Sequence, residues 1–275
     1  MIAEQQALEV REDNMTQHTS VSAMVSGKLV DLLHIKQTDI NIWDIAWGLK
    51  HLNRFTGQTP VPWSVLSHTG LCYMLLMQEQ GQKVNPVDQL SVLLHDATEA
   101  YLGDVARPLK QTGLWDEYRQ VEDSLQTTIF QRFGIANAVT EETFALVKRY
   151  DNQALAIEFE TFFPTLRGHA YAPPYVYTQP SNTALVAATP QQFIEIVKYL
   201  AINCATQDVQ SLFAMPDTLQ AYVGAAAQTA QQLRPFRQQA IPQVETRITE
   251  ADALPTEAVS FEPRLDSSGI DNLRV

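Results

Sequence analysis

The sequence is organised around residues 93–110, which are Leu93-Leu94-His95-Asp96-Ala97-Thr98-Glu99-Ala100-Tyr101-Leu102-Gly103-Asp104-Val105-Ala106-Arg107-Pro108-Leu109-Lys110. His95 and Asp96 follow an apolar run, and Glu99 comes three residues after Asp96. If the run is one helix that ends at Gly103, these three side chains face one point, and Asp104 turns toward it. Four titratable groups beside an apolar run are costly to bury unless a cation neutralises them. The stretch therefore predicts a divalent metal site.

Length and composition limit the class of protein. The length of 275 residues suits one domain with extensions or two small domains. The hydrophobic fraction of 45% is enough for an apolar core. No stretch approaches the roughly 18–20 consecutive apolar residues of a membrane span. Residues 1–20 lack the apolar region of a secretory signal. The two cysteines exclude a disulfide framework, and Cys72 is interpreted as a small core residue. We expect a cytoplasmic protein without a membrane partner.

The charge balance argues against a nucleic-acid polymer as partner. The net charge is −12, with 31 acidic and 19 basic residues. Binding of a nucleic-acid polymer depends on a basic surface that neutralises many phosphates. A small phosphorylated substrate stays compatible with this composition if a metal ion and one or two arginines change the local field.

Apolar periodicity and capping residues predict an all-α helical bundle with a small β-hairpin near the N-terminus. The predicted helices span about 43–52, 64–80, 86–102, 115–133, 140–162 and 190–203. The hairpin would pair Leu29–Leu33 with Asp39–Ile42. Residues 1–24 are expected to form a flexible tail, 25–204 the functional domain, and 205–275 a Gln/Ala-rich extension that is partly helical or disordered.

Two further titratable residues fall on apolar helix faces. His68 lies on the inward stripe of the second helix. Asp151 lies on that of the fifth helix, where a carboxylate must be paired or must bind a metal. Pairing with Lys148 at i−3 and metal ligation both remain open at this point. The predicted inward stripe of the fifth helix consists of Phe144, Val147, Asp151, Leu155 and Glu158.

Three predicted helices thus present two imidazoles, from His68 and His95, and two carboxylates, from Asp96 and Asp151. Such a set of nitrogen and oxygen donors suits one divalent transition metal ion and leaves positions for water and substrate. The candidate ions are Mn²⁺, Fe²⁺, Co²⁺, Ni²⁺ and Zn²⁺, with Mg²⁺ as a further candidate.

These residues resemble the H…HD…D pattern of the HD-domain metal-dependent phosphohydrolases. The resemblance is strongest to the YfbR-like 5′-deoxynucleotidases of bacteria and phages. The matching segments are Asn53-Arg54-Phe55-Thr56-Gly57, Trp63-Ser64-Val65-Leu66-Ser67-His68, residues 94–110, and Tyr150-Asp151-Asn152-Gln153-Ala154-Leu155. Together they cover about residues 26–164, and up to 203 if the last helix is included.

The resemblance implies an enzyme that releases phosphate from (deoxy)nucleoside 5′-monophosphates. It implies that one ion is held by His68, His95, Asp96 and Asp151. It also implies that Glu99 positions or deprotonates the attacking water. Relatives are commonly homodimers in the cytoplasm, or in the host cytoplasm where a phage encodes them.

Other residues would contact the substrate if the resemblance holds. Arg54 would bind the phosphate, for which its planar guanidinium is suited. Asp104 would act in the catalytic site on a sugar hydroxyl. In relatives a tryptophan beside the arginine helps to select deoxyribose over ribose, and Phe55 is the nearest candidate for that role here. Lys110 and Arg107 would add positive charge at the mouth of the site.

Two alternative functions remain open on sequence grounds. The same scaffold can carry a dNTP triphosphohydrolase or a (p)ppGpp hydrolase, which product analysis would distinguish. A protein of another class, a non-catalytic metal- or nucleotide-binding module, would have no use for a water-aligning carboxylate at Glu99.

Overall fold

A computed structural model describes residues 20–110, 112, 115–169, 188–204, 206 and 208–221. The chain divides into two compact units, residues 1–226 and 227–275, and the second lies outside the described residues. The predictions for residues 1–19 and for most of the extension also lie outside them. None of the helices in the described ranges is long and apolar enough to cross a bilayer.

The described part of the chain is mostly helical with one two-stranded sheet, which confirms the predicted fold class. The strands are β1 (Val21–Ala23) and β2 (Leu29–Asp31). The helices are α1 (Ile42–His51), α2 (Val65–Gln80), α3 (Pro86–Leu93), α4 (Glu99–Leu102), α5 (Arg107–Lys110), α6 (Asp116–Arg132), α7 (Glu141–Phe162), α8 (Pro190–Ile202) and α9 (Val209–Phe213).

The hairpin pairs other residues than the sequence predicted. β2 pairs antiparallel with β1, with Val21 opposite Asp31. The predicted partner Asp39–Ile42 is wrong, because Gln37–Asp39 forms a 3₁₀ turn and Ile42 begins α1. The Asn41 side chain accepts a hydrogen bond from the backbone of the first turn of α1, so that local capping commits these residues to a helix.

Helix α3 lies at the centre of the bundle, where it contacts α2, α7 and α8. Helix α1 packs on α2, α4 and α8. At Gly48 of α1 a Cβ atom would lie 2.8 Å from Cβ of Ala100 and 2.9 Å from its Cα, so only glycine allows α4 to approach this closely. The fully buried side chains around this centre include Ile45, Leu49, Leu66, Leu90, Leu94 and Ile129.

The predicted helix over 86–102 is interrupted, so the prediction that His95, Asp96 and Glu99 share one helix is wrong. Helix α3 ends at Leu93, a turn follows, and α4 begins at Glu99. Nδ1 of His95 lies 2.8 Å from the carbonyl oxygen of Val92, which a continuous helix would use for the amide of Asp96. A side chain has therefore replaced a backbone partner at this helix end.

The buried face of α7 is rotated from the predicted stripe. Phe144 was predicted to face the core, and this was wrong, because its side chain is 56% exposed. Thr143 faces inward instead, and its hydroxyl donates to Asp88 at the start of α3. Asp151 and Glu158 are buried with the apolar residues Tyr150, Ala154 and Ile157.

Residues 208–221 belong to the bundle although the sequence placed them in the extension. Helix α9 contacts α1 and α8. Leu212, Phe213 and Leu219 are buried in the core, and Nε1 of Trp43 donates to the carbonyl oxygen of Phe213 at 3.2 Å. Residues 20–24, which were assigned to the tail, contribute β1.

Candidate metal centre

The loop between α1 and α2 places Arg54 beside Trp63. Asn53 and Ser64 form an isolated antiparallel bridge, and the amide of Arg54 donates to the carbonyl oxygen of Trp63 at 2.9 Å. Both side chains then reach one carboxylate on α7. Nε of Arg54 donates to Oε2 of Glu158 at 3.0 Å, and Nε1 of Trp63 donates to Oε1 at 2.6 Å. Since Glu158 is fully buried, these bonds are what make its charge tolerable.

His68 is held in the first turn of α2, which Ser64 caps. Its ring is fully buried, and Nδ1 lies 2.9 Å from Oε1 of Glu158. When Nδ1 donates to this carboxylate, Nε2 carries the free lone pair on the opposite side of the ring. A carboxylate in this position orients metal-binding histidines in many proteins.

His95 is oriented by its contact with the backbone of α3. Because Nδ1 faces Val92, Nε2 faces the interior of the site. This atom is buried and, among the described residues, has no hydrogen-bond partner. Oδ2 of Asp96 lies 3.2 Å away from it. A buried ring nitrogen without a hydrogen bond is costly unless something else satisfies it.

The structure brings together all four residues that the sequence predicts as metal ligands. Nε2 of His68 lies 3.4 Å from Oδ1 of Asp151 and 3.7 Å from Oδ2 of Asp96. Nitrogen and oxygen ligands lie about 2.0–2.2 Å from an ion such as Zn²⁺, so two ligands of one ion are about 3–4 Å apart. These two separations, and the 3.2 Å between His95 and Asp96, are those expected for pairs of ligands of one ion.

Cys72 lies at the same place. Its Sγ is 3.5 Å from Nε2 of His68. This sulfur and the ring nitrogens of His68 and His95 all lie within 4.8 Å of one another, so a His–Cys–His cluster could hold a metal ion. Cys72 is fully buried and also contacts the apolar core, as the sequence predicted, but the sequence analysis did not connect it with the site.

The sequence left open whether Asp151 pairs with a cation or faces a metal site, and in the structure its two oxygens do one each. Its Oδ1 faces His68, as a ligand would. Its Oδ2 accepts from Arg107 at 2.7 Å and from Lys148 at 3.0 Å. The two environments are compatible, since each uses a different oxygen. The cations can therefore hold the carboxylate in place while Oδ1 stays directed toward the cluster.

Glu99 lies beside the cluster at the start of α4. It is buried, its Oε2 has no hydrogen-bond partner among the described residues, and its Oε1 is 3.7 Å from Nζ of Lys110. Burial, followed by the negative charges of Asp96 and Asp104, raises the pKa of Glu99 well above its ordinary value. A carboxyl group with a raised pKa is suited to accept and release a proton.

Asp104 and Lys110, which were also predicted to contact substrate, lie near Glu99. Asp104 follows Gly103, whose φ of 85° makes the turn. Burial raises the pKa of Asp104, and the positive charge of Arg54 opposes this, so the two groups interact. Nζ of Lys110 donates to Glu122 at 2.6 Å. Lys110 is thus engaged by two carboxylates, those of Glu99 and Glu122.

The ring of Phe55 packs against the guanidinium of Arg54. Its backbone has a positive φ of 55°, and its ring packs edge-on against Phe163 with centroids 5.3 Å apart. The guanidinium carbon of Arg54 lies 5.6 Å from the centroid of the Phe55 ring, within the range of a cation–π contact.

The electrostatic environment of the site stabilises the protonated, positively charged forms of Arg54 and His68. Burial alone would lower the pKa of Arg54, but Glu158 and Asp96 outweigh it and raise the pKa. Burial and the positive charge of Arg54 would lower the pKa of His68, but Cys72, followed by Glu158 and Asp151, raises it well above its ordinary value. Such an excess of buried carboxylates is the environment in which a divalent cation is stabilised.

A cleft of about 250 Å³ borders the cluster through His95 and Asp151. Its other walls are formed by Ser91, Gln126, Phe130, Phe144, Val147 and Lys148. The exposed ring of Phe144 is therefore one wall of a cavity next to the candidate metal centre.

Three residues of the site were missed by the sequence analysis as functional groups: Trp63, Cys72 and Glu158. Glu158 lies seven residues after Asp151, and Cys72 lies four residues after His68, so both share a helix face with a predicted ligand. These spacings could have identified them. Trp63 carries no comparable signal, because its contact with Glu158 joins residues 95 positions apart.

Two proteins resemble this chain over about half of its length. "Uncharacterized protein RCAP_rcc00048" of Rhodobacter capsulatus is 34% identical over 143 residues, which are 50% of this chain and 70% of that protein. "Uncharacterized protein YfdR" of Escherichia coli (strain K12) is 32% identical over 146 residues, which are 52% of this chain and 76% of that protein. The chain belongs to the family of these two proteins. No protein-family model matches it. Neither of the two names states an activity, so the function is argued from the geometry of the site.

Proposed function

We propose that the protein is a metal-dependent phosphohydrolase that releases phosphate from (deoxy)nucleoside 5′-monophosphates. The observation that supports this most is the position of Arg54 beside the cluster of donor atoms. Its NH1 lies 4.0 Å from Oδ2 of Asp96, while its Nε is bound to Glu158. A fixed guanidinium next to an ion-binding cluster is the pairing of charges that a phosphate monoester dianion requires.

The residues present fit a divalent ion. The donor atoms of His68, His95, Asp96 and Asp151 have the spacing of a shared ligand set, and Nε2 of His95 lacks a hydrogen bond among the described residues. Nitrogen and oxygen donors of this kind suit Mn²⁺, Fe²⁺, Co²⁺, Ni²⁺ or Zn²⁺. When bound, such an ion supplies a water of lowered pKa and positive charge for the phosphoryl oxygens.

Arg54 has the role of holding the phosphate. Glu158 occupies its Nε, so the terminal nitrogens remain for two phosphate oxygens in a bidentate contact. Trp63 binds the same carboxylate and Phe55 packs on the guanidinium, which restricts the side chain to one orientation. A guanidinium that is already oriented need not reorganise as charge develops during the reaction.

Glu99 has the role of aligning the attacking water and taking its proton. Its Oε2 has no hydrogen-bond partner among the described residues and is available for that water, while Lys110 lies near Oε1. Asp104 has the role of a sugar contact. The neighbouring cleft has room for one ring system of the nucleoside rather than for a whole nucleotide, because its 250 Å³ is below the roughly 300–1,000 Å³ of complete ligand pockets.

The decisive test is a panel of phosphate-release assays. The substrates are deoxy- and ribonucleoside 5′-monophosphates, dATP and ppGpp, each with Mn²⁺, Co²⁺, Zn²⁺ or Mg²⁺ added to metal-free protein. We expect orthophosphate from the monophosphates with a transition metal ion. Triphosphate from dATP, or pyrophosphate from ppGpp, would replace the proposal with the corresponding alternative. Nucleotide binding without any product would assign the protein to the non-catalytic class.

Glu158→Gln is expected to weaken metal binding although Glu158 is not a proposed ligand. The amide keeps the volume but removes the charge that orients His68. Loss of such an outer partner typically lowers metal affinity by about 10–100-fold. Calorimetric titration with Zn²⁺ or Mn²⁺ measures this. The matched control is Glu160→Gln. Glu160 is another carboxylate of α7, and its partner Arg167 lies beyond the end of the helix. Equal affinity in a folded Glu158→Gln protein would contradict the orienting role.

A further inference from the structure

Cys72 lies at the candidate metal centre but has no part in the function proposed above. Its Sγ is 3.5 Å from Nε2 of His68, and both atoms are fully buried. In zinc sites the ion lies about 2.3 Å from sulfur and about 2.0–2.1 Å from nitrogen, so two such ligand atoms lie about 3–3.6 Å apart, depending on the angle between them. The observed separation lies in this range, which is also that of a sulfur–nitrogen hydrogen bond.

The position of Cys72 on α2 explains how its sulfur comes to be there. Cys72 lies four positions after His68, so one turn of the helix directs both side chains to the same side. Cys72 also belongs to the buried apolar cluster that contains Leu75 and Leu76, and the charges of Asp151 and Glu158 act on its thiol.

His95 provides an independent observation. Its side chain is 10% exposed, and its Nε2 is directed into the cluster without a hydrogen-bond partner among the described residues. A ring nitrogen of His95, a ring nitrogen of His68 and Sγ of Cys72 all lie within 4.8 Å of one another. Three donor atoms, two from α2 and one from the turn after α3, therefore lie close together. Of these, Nε2 of His95 has no hydrogen-bond partner among the described residues.

We propose that Cys72 binds the ion as a thiolate, so that the ligand set contains sulfur as well as the nitrogen and oxygen donors. On binding, the thiol proton leaves to solvent and the sulfur lone pair forms the bond to the ion. A thiolate favours Zn²⁺ and Co²⁺ over the harder Mg²⁺ and Mn²⁺. Cys72 would thus determine which ion the centre takes. The inference rests on the proposed function only for the place of the ion, not for the reaction.

Cobalt spectroscopy of the full chain tests this directly. Metal-free protein is titrated with Co²⁺ under nitrogen, and the near-ultraviolet thiolate-to-cobalt charge-transfer band is recorded with the visible bands of the ion. The chain has two cysteines, so Cys204→Ser is the matched control. We expect the band in the unchanged protein and in Cys204→Ser, and its loss in Cys72→Ser. Cys72→Ala serves as a second variant if the serine hydroxyl disturbs the core.

Metal selectivity provides a second measurement. We expect Cys72→Ser or Cys72→Ala to lower the affinity for Zn²⁺ by at least about tenfold relative to that for Mn²⁺, because even outer partners of a ligand are worth 10–100-fold. Stoichiometric Co²⁺ binding without the band in the unchanged protein would overturn the role of Cys72 and leave the proposed function standing. Failure of every ion to bind would overturn both.

Discussion

Asp96→Ala is expected to remove the bound metal and to abolish phosphate release while the protein stays folded. Oδ2 of Asp96 lies 3.2 Å from Nε2 of His95, 3.7 Å from Nε2 of His68 and 4.0 Å from NH1 of Arg54. This atom lies between the two imidazoles and the arginine that we propose to bind phosphate. We expect metal affinity to fall by more than the roughly 10–100-fold typical of outer partners. Phosphate release should fall by at least about 10²-fold.

Metal content after dialysis, phosphate release and the far-ultraviolet circular dichroism spectrum measure the three parts of this prediction. The fold should persist, because Asp96 lies in a turn and its side chain fills no part of the apolar core. Asp116→Ala in the exposed first turn of α6 is the matched control and should keep both metal and rate. Full activity of a metal-stripped Asp96→Ala sample would refute the site.

Glu99→Gln is expected to keep the metal and lose the reaction. The glutamine has the same shape, so α4 still packs on α1, but its amide cannot take a proton from water. Loss of general acid–base catalysis costs about 10²–10⁴-fold in rate. Because Glu99 is not among the four proposed ligands, metal content should stay at that of the unchanged protein. Together the two variants separate the holding of the ion from the use of the water.

Single-turnover phosphate release and metal content of the same preparation check this division of roles. Glu117→Gln, an exposed carboxylate of α6, controls for the loss of one negative charge. Loss of metal from Glu99→Gln would assign Glu99 to the ligand set instead. An unchanged rate would remove it from the mechanism altogether.

The helices followed from local signals in the sequence. The prediction of 140–162 for α7 differs from the structure by one residue, since Thr140 accepts from the backbone of the first turn as an N-cap does. Ser64 and Asn85 act in the same way at α2 and α3. These signals act over three or four residues, so they can be recognised without knowledge of the fold.

Where local preference competed with distant contacts, the sequence prediction failed. At the end of α3 a local contact, from His95 to the carbonyl oxygen of Val92, is joined by a distant one, in which Gln126 of α6 donates to the carbonyl oxygen of Leu94 at 3.1 Å. The face of α7 is set by the hydroxyl of Thr143, which bonds to Asp88 across 55 positions. Partners this far away in the sequence leave no periodic trace in it.

The sequence by itself determined the residue types of the candidate site and the helices that carry His68 and Asp151. It did so because buried imidazoles and carboxylates on apolar faces require a neutralising partner wherever they lie. Only the tertiary structure decided how they are held: which nitrogen of each imidazole faces the cluster, that Glu158 joins His68 to Arg54, and that the sulfur of Cys72 lies among the donors. The physical reason is that donor distances and orientations depend on how α2, α3 and α7 pack, and packing is a property of the whole core.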